Sequence, residues 1–148
     1  MLEFIISALI GVSSITCIDG DTIKCKDGTG KAYTVRLAKI DAPEKAQPFG
    51  KESRETLESL LRGRRVILQT FAKDKYGRTL GILHGEITTT FYEDFNAIMV
   101  RRGYAWNYGS KGYSYQEWLA RRDRAGLWVQ ENPESPSDYR KRQHASKL

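Results

Sequence analysis

The stretch Cys17-Ile18-Asp19-Gly20-Asp21-Thr22-Ile23-Lys24-Cys25 decides how this chain is read. Asp-Gly between β-branched residues is a strong two-residue hairpin signal, so Ser14 to Ile18 and Thr22 to Lys26 read as two antiparallel strands. The turn explains Asp19. It does not explain Asp21, which lies past the turn, where aspartate is a poor strand residue. A role as a metal ligand gives Asp21 a reason to be there, in a chain whose formal net charge is +6.

Working outward, Asp27-Gly28-Thr29-Gly30 is a second turn and Tyr33 to Ile40 a third strand. Tyr33, Val35 and Leu37 share one face of that strand, and Arg36 lies on the other. Asp41-Ala42-Pro43-Glu44 then breaks it. That stretch reads either as a helix N-cap with a partner three residues on, or as a loop stiffened by Pro43, with the helix starting after Pro48 and Phe49. Leu57, Leu60 and Leu61 give helical spacing that Gly63 ends. Val66 to Ala72 and Thr79 to His84 are the fourth and fifth strands, and their connection contains Gly77 to supply a positive φ. Phe95, Ile98, Met99 and Arg102 predict a second helix. Tyr115 to Ala125 predicts a third, with Trp118 and Leu119 on its buried side.

Five short strands with a helix between the third and fourth predict an α+β fold that is mainly β barrel: an OB-type five-stranded Greek-key barrel with three helices. The domain spans residues 14–130. Residues 131–148 form a polar C-terminal tail, extended over the surface or frayed. Residues 1–13 are an apolar N-terminal segment: a first strand, the core of a signal peptide that lacks a positive n-region, or the remnant of a processed precursor. The expectation leans to an exported, periplasmic or secreted protein.

With 148 residues the chain can bury a sizeable core, and its pI near 9.4 suits a polyanionic partner, nucleic acid or an anionic membrane surface. The absence of a Cys-x-x-Cys pair and the wide separation of His84 and His144 argue against a zinc site. Cys17 and Cys25 flank the quoted turn, either bonded across the hairpin or as two reduced thiols. No stretch is long enough for a transmembrane helix.

Asp19, Asp21, Arg36, Asp41, Glu44, Asp74, Lys75, Tyr76 and Arg78 all fall near the ends of predicted strands, where a barrel can gather them. Oxygen ligands without thiolate or paired imidazole favour a hard cation, Ca²⁺ or Mg²⁺. Arginines beside it suit phosphate oxygens, and a spare carboxylate can take a proton from water. That is a kit for attacking a phosphodiester. Glycoside hydrolysis by paired carboxylates leaves both arginines and the basic charge without a task.

The motifs IDGDT, VRLAKIDAPE, QPFGKES, DKYGR, RRGYAW and AGLW, in that order from about Thr16 to Trp128, resemble the staphylococcal (thermonuclease-type) nuclease family. The tail, with Asn132-Pro133, Pro136 and Tyr139-Arg140, resembles the ending of many bacterial members. The resemblance implies an OB-type barrel with three helices and a Ca²⁺-dependent phosphodiesterase that cuts DNA and RNA, leaving 3′-phosphate ends. It implies Asp21, Asp41 and the carbonyl of Ala42 as metal ligands, with alanine standing where the best-known member has threonine. It implies Arg36 and Arg78 as catalytic arginines and Glu44 as general base. Lys75 and Tyr76 match residues of the nucleotide-binding pocket. Tyr104, Trp106, Tyr108 and Tyr113 compete as the aromatic that stacks on the nucleotide, and Tyr108 is favoured. No stable protein partner is implied, and a monomer is expected. A catalytically inactive OB-fold module that only binds nucleic acid is the alternative.

Overall fold

The computed structural model describes residues 7–148. In chain order the elements are β1 (Ala8–Cys17), β2 (Thr22–Asp27), β3 (Ala32–Leu37), β4 (Ile40–Asp41), α1 (Gly50–Leu61), β5 (Val66–Lys73), β6 (Thr79–Thr88) and β7 (Phe91–Asp94). There follow α2 (Phe95–Arg101), β8 (Trp106–Asn107), α3 (Ser114–Arg122), a 3-10 turn (Gly126–Val129) and α4 (Pro136–Ala145). The strand order is β3-β2-β1-β5-β6-β7, and parallel pairing of β3 with β6, Val35 opposite Thr79 and Arg36 opposite Leu80, closes the first five into a barrel. This is the mainly β, OB-like α+β architecture that the order of elements predicted.

The alternation in β3 sets the barrel's inside and outside. Val35 and Leu37 are fully buried, while Arg36 is half-buried on the opposite face. Ile23, Leu68 and Leu83 from the strands meet Leu57 of α1 and Phe95, Met99 and Val100 of α2 in one core cluster. Fully burying each such side chain stabilises the fold by about 1.5–3 kcal/mol. Asn96, also fully buried, accepts from the Leu83 amide (3.1 Å) and donates to the carbonyls of Ala38 (2.9 Å) and Gly81 (3.1 Å). That side chain therefore pins the end of β3 to β6, which fixes the rim from which the polar residues project.

Several expectations are corrected. The first strand begins at Ala8, so residues 8–13 belong to the barrel wall, and residues 1–6 of the apolar N-terminal segment lie outside the described residues. The quoted turn is a four-residue loop, Ile18 to Asp21, closed by the Ile18 amide on the Thr22 carbonyl at 2.8 Å. Cys17 pairs in register with Ile23, not with Cys25, and both cysteines are free buried thiols. Burial pushes Cys17 up to about 12 and Cys25 up to about 11. Trp118, expected inside, is exposed, because Ala120 makes the buried contact of α3 and Trp118 lies against Tyr115 instead. The C-terminal tail is not extended: Ser135 caps the Asp138 amide at 3.1 Å, Pro136 opens the first turn, and α4 runs to Ala145.

Candidate active site

Three backbone features bring the acidic residues together. The loop before β2 carries Asp19 and Asp21, and the Asp21 carbonyl accepts from the Leu37 amide at 2.7 Å. The β3–β4 connection turns through Lys39 at a φ of 68°, the left-handed region, so Asp41, five residues after Arg36, is delivered beside Asp21. Gly20 lets the loop sit on α1, since a Cβ there would meet Ser53 Oγ at 1.9 Å and the Ala42 Cβ at 2.9 Å. Asp21 Oδ2 accepts from the Ala42 amide at 2.7 Å, which locks the loop before β2 to the segment that follows β4.

The result is a cavity of about 870 Å³. Asp19, Asp21, Arg36, Asp41, Glu44, Lys75, Tyr76, Arg78 and Tyr108 all line it. Of the sequence-predicted set only Ala42 does not. It is buried behind the wall, with its amide on Asp21.

The electrostatics of this cavity are lopsided. Asp21 and Asp41 are almost fully buried, and Arg36 Nη2 stands 3.4 Å from Asp21 Oδ2 and 3.4 Å from Asp41 Oδ1. One guanidinium nitrogen is thus shared by two carboxylates at a loose distance. Burial, followed by the charge of Asp21, pushes Asp19 up to about 7. The same two causes raise Asp41 against the opposing pull of Arg140 and Arg36. Acids crowded this way gain from a further positive charge.

Among the described residues, no group of three or more His, Cys, Asp or Glu side chains is gathered as a metal cage. The donors on hand are two adjacent buried carboxylates, Asp21 and Asp41, with further carboxylates nearby. Such a set suits a hard divalent ion that keeps part of its water shell. The residues fit a cation of that kind, and they do not fit a soft or imidazole-seeking metal.

On the opposite wall, Asp74 builds the loop that carries Arg78. Its Oδ1 accepts from the amides of Tyr76 and Arg78, both at 2.9 Å, and its Oδ2 accepts from Arg78 Nε at 2.7 Å. Arg78 is therefore aimed by a carboxylate that it does not share with the acidic wall. Lys75 Nζ and the Arg78 guanidinium lie 5.2 and 5.5 Å from the centre of the exposed Tyr76 ring.

Of the four competing aromatics, Tyr108 is the one on the cavity. It is exposed, and its amide donates to the Lys39 carbonyl at 2.9 Å. Tyr113 is buried with its hydroxyl on Asp94, Tyr104 packs against the core, and Trp106 packs edge-on to Trp128 at 4.6 Å.

Sequence reasoning missed one residue at this site. Arg140 of α4 lines the cavity, donates through Nη1 to Glu44 Oε1 and reaches Asp41 Oδ2 through Nη2 at 3.4 Å. Glu44 and Arg140 are 96 positions apart, and no local pattern links them.

Residues 34–130 match the family model described as "Staphylococcal nuclease homologue". A protein of Haemophilus influenzae named an uncharacterized endonuclease is 39% identical over 131 residues, which cover 84% of this chain and 70% of that protein. The micrococcal nuclease of Shigella flexneri is 37% identical over 138 residues, 86% of this chain and 78% of that protein. A staphylococcal-like nuclease of Arabidopsis thaliana is 33% identical over 115 residues, which cover 75% of this chain and 34% of the longer plant protein.

Proposed function

This chain belongs to the staphylococcal nuclease homologue family, and from that premise we propose that it is a calcium-dependent nuclease that hydrolyses DNA and RNA with little sequence preference. The family and its nuclease relatives support phosphodiester hydrolysis. The oxygen-only donors at the cavity support a hard cation, Ca²⁺ or Mg²⁺, and the choice of calcium rests on the resemblance of the motifs. The expected product, a 3′-phosphate with a 5′-hydroxyl, rests on the resemblance of the motifs.

One observation carries the reading. Carboxylates from the loop before β2, from β4 and from the segment after it converge on one cavity with Arg36 and Arg78. Asp21 and Asp41, which line the cavity, are the residues that would hold the ion; the Ala42 carbonyl, which the resemblance of the motifs adds, belongs to a residue that does not line it. When bound, such an ion supplies electrophilic stabilisation of charge on a phosphoryl oxygen.

The protein's own groups do the rest. Glu44 accepts a proton from water as the water oxygen forms its bond to phosphorus and the bond to the 5′-oxygen breaks. That leaving oxygen takes its proton from solvent. Arg36 and Arg78 grip the phosphate with paired N–H donors and stabilise the added charge of the pentacoordinate species. Tyr108 and Tyr76, exposed at the cavity mouth, offer flat faces to bases without demanding a sequence. The basic surface draws in the polyanion.

The deciding experiment incubates the protein with end-labelled DNA and RNA in Ca²⁺ and in excess EDTA, and then tests the new ends with a phosphatase. Cleavage in Ca²⁺ alone, with phosphatase-sensitive 3′ ends, is expected. Binding without cleavage in both arms would make the protein a binding module instead. Export is a further proposal; the apolar run from Phe4 to Val12 that suggests it ends inside β1, and N-terminal sequencing of the natural protein tests it.

A further inference from the structure

Helix α4 has no hydrophobic reason to be where it is. Its sequence PSDYRKRQHA presents no apolar stripe, and Pro136 is its one buried residue. Polar contacts hold it, and they converge on the loop that carries Glu44. Gln47, itself nearly fully buried, accepts from the Glu44 amide at 3.0 Å through Oε1 and donates to the Glu134 carbonyl at 2.7 Å through Nε2. A single side chain thus clamps the backbone of Glu44 to the residue just before the α4 cap. Arg142 returns to Glu134 through two hydrogen bonds, of 2.9 and 3.0 Å, and braces the start of the helix. One turn into α4, Arg140 then bridges Glu44 Oε1 and Asp41 Oδ2 with its two terminal nitrogens. The stretch that matches the family model ends at residue 130, so Glu134, Arg140 and Arg142 lie beyond it while Asp41, Glu44 and Gln47 lie within it.

We propose that Arg140 is a positioning residue for hydrolysis: its guanidinium fixes the Glu44 carboxylate in orientation and in distance from Asp41, and α4, clamped through Gln47, exists to present it. The planar fork suits the task because two carboxylates can each take one N–H without sharing it. The Glu44 side chain would otherwise rotate freely at the cavity edge, and a misplacement of about 1 Å in a catalytic group can cost about a hundredfold in rate. The same guanidinium also places a positive charge beside an acid of the cation site, so it opposes the ion that it helps to exploit.

That double effect makes the inference testable, and the inference rests on the reading of Glu44 and Asp41 given above. Arg140→Ala is measured in two ways: calorimetric titration with Ca²⁺ alone, and steady-state cleavage of a labelled oligonucleotide at saturating Ca²⁺. The two readouts should move in opposite directions. Calcium should bind about three- to tenfold more tightly, because a like charge near Asp41 is gone. Turnover should fall by about ten- to a hundredfold, with KM within about twofold. Arg140→Lys should restore the calcium affinity to the parent value and leave turnover low, since one ammonium cannot bridge both acids. Unchanged turnover at saturating Ca²⁺, a raised KM at parent turnover, or an unchanged calcium affinity would each overturn the proposal. Asp21→Asn, run in parallel, should abolish calcium binding. If it binds calcium as the parent does, the reading of the site itself fails; if it does not, a null result at Arg140 counts against Arg140 alone.

Discussion

Asp19-Gly20 and Asp27-Gly28 are the same dipeptide at the two ends of β2, and they serve opposite ends. At the outer turn, Asp27 Oδ1 accepts from the Thr29 hydroxyl (2.6 Å), the Thr29 amide (2.8 Å) and the Lys31 amide (3.1 Å), and Oδ2 accepts from the Tyr33 hydroxyl (3.1 Å). Those donors, the Thr29 hydroxyl first, hold its carboxyl below the usual range. At the inner turn, Asp19 receives one amide hydrogen bond, from Asp21 at 3.0 Å, and burial beside Asp21 drives its carboxyl up. A Cβ on Gly28 would meet nothing within 4 Å, whereas one on Gly20 would collide with Ser53. One motif is a self-satisfied surface turn. The other is packed into the protein with its charge left wanting a partner, and the missing partner is what marks the site.

The largest way to break this comparison is through activity. Asp21→Asn in the inner loop should lower cleavage of DNA by at least about a hundredfold, since it removes a proposed ion ligand. Asp27→Asn should leave cleavage within about twofold, because its partners are all local to the outer turn. Initial rates at fixed Ca²⁺ decide it, and equal losses in the two variants would mean that the turns do not differ in function.

Packing gives the next effect. Gly20→Ala forces a methyl against Ser53, whose buried hydroxyl donates to the Tyr104 carbonyl at 2.5 Å, so it should destabilise by about 1–3 kcal/mol in urea unfolding. Gly28→Ala should stay within about 0.5 kcal/mol of the parent. A Gly20→Ala protein as stable as Gly28→Ala would show that the inner loop is not docked on α1 in solution.

The contrast also shows what a sequence can carry. Local rules placed both turns, the Val35/Leu37 alternation that puts Arg36 outside, and the three leucines of α1, because those signals have the period of the element that they form. The sequence put Asp19, Asp21, Arg36, Asp41, Glu44, Asp74, Lys75, Tyr76 and Arg78 near strand ends, and the cavity collects all nine. What local rules could not do was tell the two Asp-Gly turns apart, since the difference lies in Ser53, Ala42 and Asp41, all distant along the chain. Helix α4 escaped for a related reason. It has no apolar period to detect, although Ser135-Pro136 followed by Asp138 is a cap signal that was there to be read. Strand β7 is a short edge strand with no continuous apolar run, and its residues 91–94, FYED, join the sheet by pairing with β6.

The finest test is the pH dependence of stability without calcium, where the two aspartates should differ in sign. Asp19 titrates at about 7 in the folded protein and near 3.8 when unconstrained, so between those values the native state holds a proton that the unfolded chain has released. Its contribution is therefore complete below about pH 4 and is lost as pH rises through 7. Asp19→Asn cannot lose it, and the variant should exceed the parent by about 1–2 kcal/mol at pH 8, after allowance for solvent screening, and match it near pH 4. Asp27 is lowered instead, so its contribution is present above its unconstrained value of 3.8 and lost as pH falls through the folded value. Asp27→Asn should thus be less stable than the parent at pH 8, with the gap closing in acid. Saturating Ca²⁺ should cancel the advantage of Asp19→Asn, because a bound cation draws the neighbouring carboxyl back toward its ionised form, and should leave Asp27→Asn as it was. An advantage for Asp19→Asn that is the same at pH 4 and pH 8, with and without calcium, would mean that the inner turn carries no frustrated charge and that the two ends of β2 are electrostatically alike.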